Sequence, residues 1–178
     1  MSGQSAANQQ FMKPGMPQSP RGKTSAIPFP VKVPFVESLG IELHAFSAGL
    51  AELHIDLDAG HLNTWEVAHG GVVMTMLDVA MAMASRSVSA AGVGVATVEM
   101  KTSFLRPAEH RLRALAKVLH KTATLVFCEA SLYDDQDQLC AHATGTFKAL
   151  RGLPTRQGVV NPLVPTHPLN PPPAKDSS

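Results

Sequence analysis

The chain has 178 residues, 44% hydrophobic and 16% charged, with a formal net charge of +1. That length can bury one substantial core and is short for two domains. The near-neutral balance excludes a general field for nucleic acid or an anionic membrane, so any phosphate recognition must be local, and no run approaches the roughly 18 uninterrupted apolar residues of a membrane span.

Six of the fourteen prolines lie at or before Pro34, seven lie at or after Pro154, and only Pro107 falls between them. This distribution predicts an amino-terminal arm over 1–34, one domain over 35–150 and a proline-rich tail over 151–178. Neither end carries enough apolar surface to offset the entropy of ordering it, so both are expected to be disordered. The first residues, MSGQSAANQQ, lack the basic-then-apolar pattern of a secretory signal. The only cysteines, Cys128 and Cys140, sit in separate strand-like runs, which suggests no disulfide framework. A cytoplasmic protein with reduced thiols is the expectation.

Within 35–150 the elements follow one another clearly. PFVESLG is a helical turn ended by Gly40. IELHAFS and LAELHIDL alternate as strands about a hairpin turn at Ala48-Gly49. A loop, DAGHLNTWEVA, leads into HGGVVMTMLDVAMAMASRSV, too long for a typical strand and rich in Met, Ala and Leu, hence a helix. Four further strands are GVATVEMKTSFL, RLRALAKVLHK, TLVFCEASLYD and QLCAHATGTFKAL, with turns at Pro107 and at Asp135-Gln136-Asp137. A helix of about 17 residues is about 25 Å long, and strands of 10 to 12 residues span roughly 35 to 40 Å, enough to curve around it. The expected fold class is therefore α+β, a curved antiparallel sheet of about six strands wrapped around one long buried helix.

From Gly70 through Ser85 the helix contains a single ionisable side chain, Asp78. A helix apolar on nearly every face is normally buried, and an unpaired carboxylate there is costly or has a raised pKa. Either Asp78 is functional, or it forms a structural ion pair with Arg86 or a strand arginine, or its face reaches solvent. At the helix start, His69-Gly70-Gly71 puts two residues without side chains beside unpaired N–H groups at the positive end of the helix dipole. That setting suits a developing oxyanion, and also suits an ordinary glycine-rich helix entry. Asp78 follows Gly70 by eight residues, about 12 Å along one helix, too far for both to reach one carbonyl at about 3 Å. If both act on one substrate, they come from two copies, and a homodimer follows from the catalytic hypothesis.

The motifs HLN, HGG six residues after that asparagine, LD, TVEMKTSFLRPA and ATGTF, spread over about Phe35 to Leu150, resemble the hotdog-fold acyl-CoA thioesterases of the PaaI type, which include the thioesterase superfamily member 2 group. The resemblance implies a hotdog fold and two units paired edge to edge into a continuous sheet, as a homodimer or a dimer of dimers. It also implies hydrolysis of acyl- or aryl-acyl-CoA without metal or organic cofactor. By the same resemblance Asp78 is the catalytic carboxylate, as nucleophile or as general base on water. Gly70 supplies the oxyanion donor through its backbone N–H. Asn63 and His69 line the thioester site, and Thr97, aligned with a one-residue gap, orients water toward the carboxylate. Gly71 and Arg106, the latter in the FLRP run, are candidate substrate-binding residues.

Six basic residues, Lys101, Arg106, Arg111, Arg113, Lys117 and Lys121, fall within a stretch holding one acid, Glu109. They would make either a contact strip for the coenzyme A phosphates or a solvated outer sheet face. The eight histidines show no metal-binding spacing, and His44, His54, His120 and His142 read as satisfied sheet residues. Met74, Met76, Met81 and Met83 read as core, with a Met-lined acyl pocket the other option. Against thioester hydrolysis stand a non-catalytic acyl-CoA-binding or regulatory module, which the presence of Asp78 disfavours, and a dehydratase, whose His-and-acid arrangement is not visible.

Overall fold

The computed structural model describes residues 25–90 and 93–150. Its elements are α1 (Pro34–Ser38), β1 (Glu42–Ser47), β2 (Leu50–Asp56), a 3-10 turn (Ala59–His61), α2 (Gly70–Ser87), β3 (Gly94–Phe104), β4 (Arg111–Lys121), β5 (Leu125–Tyr133) and β6 (Leu139–Leu150). The strands form one six-stranded antiparallel sheet in the order β1-β2-β4-β5-β6-β3. None of the helices is long and apolar enough to cross a membrane.

The breakers act where they stand. Ala48 and Gly49 both take left-handed backbone angles (φ 49° and 83°), and Ser47 pairs with Leu50, the two-residue hairpin whose twist matches its strands. Pro107 lies in the connection between β3 and β4, and the Asp134 carboxylate closes the β5–β6 turn by accepting the N–H groups of Gln136 and Gln138.

Every strand turns alternate residues inward onto α2. The helix supplies the bulk, with Met76, Leu77 and Met81 fully buried, while the central strands meet it largely with small side chains: Ala114, Ala116, Ala130, Ala141 and Ala143. Large knobs on one layer and alanines on the other let α2 lie close to the sheet at native packing density. Gly145 is the extreme of this pattern, because a Cβ there would lie 3.2 Å from the Met81 methyl, the Phe147 ring and the Glu99 carbonyl oxygen. The helix was expected to be buried and apolar on nearly every face, with the Asp78 face reaching solvent as one of the alternatives. Its own sheet leaves one stripe open, running through Gly71, Met74, Thr75, Asp78 and Ala82 at helical spacing.

The two sheet edges differ. Residues 25–33, expected to belong to a disordered arm, lie against β1: the Ile27 N–H donates to the Leu43 carbonyl at 2.7 Å, and Val31 is buried. Apolar residues alternate there with Pro28 and Pro30, which suits an extended segment on a sheet edge. The rest of that arm and the tail from 151 lie outside the described residues. On the opposite edge, β3 has no strand partner beyond β6 among the described residues, and Val98, Phe104 and Leu105 are more than half exposed.

Replacing Gly145 with Ala should lower unfolding free energy by about 1–3 kcal/mol, because one of its close neighbours is backbone and cannot rotate away. Denaturant titration checks this, and an unchanged midpoint would refute the close helix–sheet contact.

Candidate active site

Asp78 sits on the open stripe of α2, half-buried. The Thr97 hydroxyl donates to its Oδ1 at 2.8 Å. A β-bulge in β3 makes this contact compatible with the rest of the strand. Thr97 pairs with Phe147 and Glu99 with Thr146, so Val98 is the extra residue. The shift lets Thr97 face α2 and still leaves Met100 opposite Gly145 on the same inner side. Burial raises the Asp78 pKa, and the Thr97 hydrogen bond lowers it in part. The expected ion-pair alternative does not form: no Lys, Arg or His side chain pairs with Asp78 among the described residues. Arg86 is buried elsewhere, its own pKa lowered by desolvation.

At the helix start, His69 is the N-cap, and its Nδ1 accepts the Gly71 N–H at 2.9 Å. A Cβ on residue 71 would approach that nitrogen to 3.0 Å, so the glycine makes room for the imidazole. The His69 carbonyl takes the N–H groups of Val72 and Val73, at 2.9 and 3.2 Å. Gly70 is what remains: its N–H finds no partner among the described residues. The Phe104 ring flanks it, 3.6 Å from where a Cβ of residue 70 would stand. Asp78 and the Gly70 N–H are thus both available, about 12 Å apart along one helix.

Asn63 lies on the turn leading to the helix, with its side-chain oxygen already hydrogen-bonded. Its Oδ1 accepts the Trp65 N–H at 2.9 Å, its carbonyl accepts the Glu66 N–H at 3.0 Å, and its N–H donates to Val67. Its amide NH2 and the second lone pair of Oδ1 remain for other contacts. His61 of the HLN motif is buried and structural, with Nδ1 accepting the Asp58 N–H. Arg106 is exposed just beyond Phe104 and tethered to the Leu139 carbonyl at 3.0 Å.

The basic stretch is not one patch. Arg113 pairs with Asp137 at 2.8 Å and Lys117 with Glu129 at 3.0 Å, Arg111 lies 3.7 Å from Asp56, and Lys121 donates to the Val88 carbonyl. The sheet histidines have sheet partners. His44 and His54 stack at 3.9 Å beside Glu42 and Glu52, His142 lies near Glu129, and His120 stacks on Phe127. Neither cysteine is a nucleophile at neutral pH, because burial pushes Cys128 up to about 12 and Cys140 up to about 11.

Three features escaped the sequence reading: the Phe104 ring beside Gly70, the exposed Trp65 on the Asn63 turn, and a cavity of about 300 Å³ between α1 and the start of α2, lined in part by Phe35, Leu39 and Thr75. A bulky aromatic three residues before Pro107 and an indole in a polar loop were the only signals.

A curved antiparallel sheet wrapped around one helix, with a lone carboxylate on that helix and an open N–H at its start, defines a hotdog protein. Comparison with known proteins agrees. The thioesterase superfamily matches over residues 66–141. A Saccharolobus solfataricus protein named as a candidate esterase is 32% identical over 114 residues, 64% of this chain and 75% of its own. A thioesterase family protein from Silicibacter pomeroyi has a crystal structure similar to this chain with a TM-score of 0.65 and 31% identity, over 67% of this chain and 91% of that one. The Escherichia coli PaaI protein of the phenylacetic acid degradation operon shares the fold, with a TM-score of 0.61 and 24% identity over 65% and 83% of the two chains. The chain belongs to the thioesterase superfamily, and thioester hydrolysis is its activity class.

Because burial raises the Asp78 pKa, the protonated group favours the fold. That contribution is fully present below the unfolded pKa and is lost as pH rises through the higher folded value. Asp78→Asn should therefore gain in Tm relative to the parent as pH increases from 4 to 8. Melting curves across that range that stay parallel, or a variant that falls behind at high pH, would contradict a buried, unpaired carboxylate.

Proposed function

We propose that the protein hydrolyses acyl-CoA thioesters to the free acid and coenzyme A, with Asp78 of one copy and the Gly70 N–H of a second copy acting on the same carbonyl. The reading rests on one observation: among the described residues α2 leaves a single carboxylate without a counter-ion and a single first-turn N–H without an acceptor, too far apart to serve one carbonyl within one chain. The domain that acts is residues 35–150.

The chemistry follows from those two groups. The Asp78 oxygen not held by Thr97 either takes a proton from an attacking water or attacks the carbonyl carbon itself, giving an anhydride that water then opens. Both routes need the ionised form. In both, charge develops on the carbonyl oxygen, where the Gly70 N–H and the positive end of α2 stabilise it. The tetrahedral intermediate collapses with cleavage of the C–S bond. On the general-base route the departing thiolate takes the proton that Asp78 removed from water. On the nucleophilic route this cleavage forms the anhydride, the thiolate is protonated by solvent, and water then opens the anhydride. Thr97 fixes the carboxylate in place; the Asn63 amide NH2 and the His69 ring border the substrate; Arg106 contacts a phosphate of the coenzyme. The exposed apolar edge of β3, with Val98 and Leu105, supports edge-to-edge pairing of two copies.

Gly70→Pro removes the N–H at the first helical position, where proline is accommodated, and His69 already holds the extended backbone that precedes a proline. Asp78→Asn and Gly70→Pro should each abolish thiol release from acyl-CoA. Unfolded and refolded together they should regain about a quarter of parental activity, because half the dimers would carry one intact composite site. Full inactivity of that mixture, with dimers present, would place both groups in separate chemistry. Acyl-CoA binding by the parent without thiol release would instead mark a binding module. A pH–rate profile completes the test: losing the Thr97 hydrogen bond in Thr97→Val removes what lowers the Asp78 pKa, so the acid limb should move to higher pH.

A further inference from the structure

Gly70 is flanked by two different environments. On the β3 side is the Phe104 ring. On the other side, Gly71, Val72 and Thr75 turn toward α1 and line the cavity of about 300 Å³ together with Phe35, Leu39 and Leu62. That cavity has no charged wall. The Thr75 hydroxyl, its one side-chain hydroxyl, is already donated to the Gly71 carbonyl at 2.8 Å, and the His69 imidazole, whose Nδ1 accepts the Gly71 N–H, is the other polar side chain on its wall; the remaining side chains are apolar.

Resting on the hydrolytic reading above, we infer that the groove between α1 and the start of α2 holds the acyl part of the substrate and limits it to a medium-length aliphatic chain or a single aromatic ring. A thioester whose carbonyl oxygen meets the Gly70 N–H must send its two arms in opposite directions. The coenzyme arm carries phosphates and cannot lie in a groove without a charged wall without losing their solvation. The acyl arm has the reverse preference. Size then sets the class, because about 300 Å³ is the lower end of the range for small-molecule pockets, roughly 300–1,000 Å³. Phe35 is the adjustable wall: it lies on a five-residue helix and is 63% exposed, so it contributes little to the core and its ring is free to cover a ligand. Phe35, Leu39 and Thr75 are therefore specificity-determining residues, and α1 is a recognition element as well as a lead-in to β1.

The test measures thiol release by the full-length protein from acetyl-, hexanoyl-, phenylacetyl- and palmitoyl-CoA, with acetyl-CoA, too short to fill the groove, as the reference within each variant. The parent should prefer hexanoyl- or phenylacetyl-CoA over palmitoyl-CoA. Phe35→Ala, which opens the groove, and Thr75→Phe, which fills it, should each lower the hexanoyl-to-acetyl ratio of kcat/KM by about tenfold. Phe35→Ala carries the test alone if Thr75→Phe does not form dimers on a sizing column. A ratio that stays within about twofold of the parent in Phe35→Ala, or a parent that prefers palmitoyl-CoA, overturns the inference while leaving acyl-CoA hydrolysis intact. A parent that releases no thiol from any of the four overturns the hydrolytic reading itself, and the inference with it.

Discussion

The structure depends on α2 being buried on every face except one. Its large side chains, Met76, Leu77 and Met81, each gain roughly 1.5–3 kcal/mol on leaving water, and the sheet can curve closely around them because it answers with alanines and Gly145. A helix anchored so firmly can carry a group that weakens it. Asp78 is that group, tolerated because it lies on the uncovered stripe, with the Thr97 hydroxyl as donor and no cation paired to it among the described residues. A cation beside it would hold the carboxylate below the usual range and occupy an oxygen the reaction needs.

β3 links the two halves of the proposed site. One of its inner-facing residues, Thr97, holds Asp78, and another, Phe104, lies beside Gly70. The bulge at Val98 allows both, since without an extra residue Thr97 and Phe104 would alternate to opposite faces. The same strand is the open edge of the sheet, with apolar side chains exposed along it. On the proposed reading, covering this edge with a second copy would bring a second α2 beside the first, so the geometry that leaves the edge incomplete is also what would complete the site.

Most of the element order was legible because the signals were local. Ala48-Gly49, Pro107 and the Asp135–Asp137 stretch lie at turns, and the 18 residues of α2 were distinguishable from a strand by length and composition. What was not legible depends on contacts between distant residues. Nothing near Thr97 announces a bulge; its contact with Asp78 was reached only through a family resemblance that required a one-residue gap. Nothing in the loop says that the Asn63 oxygen turns back onto Trp65 N–H, or that Gly71 serves to admit the His69 ring. The basic run from Lys101 to Lys121 looked continuous because sequence spacing ignores partners contributed by other strands, such as Glu129 and Asp137. Residues 25–33 looked like arm because prolines dominate them, yet those prolines alternate with side chains that fit the edge of β1.

The identity of the helix cap bears on how the Gly70 N–H stays useful. Most N-caps are Ser, Thr, Asp or Asn, which offer an oxygen to the first-turn N–H groups. An aspartate at position 69 would satisfy α2 and place a negative charge beside the carbonyl that has to become negative, opposing the very field the helix provides. The imidazole avoids this. Its Nδ1 lone pair accepts the Gly71 N–H, which puts the ring N–H at Nε2 and leaves a donor rather than an acceptor on the outer side. The helix is capped without discharging its positive end, and Gly71, by lacking a side chain, is what permits a cap of that size. The HGG triplet thus divides its work within one turn: His69 caps, Gly71 makes room for the cap, and Gly70 is left with its N–H open.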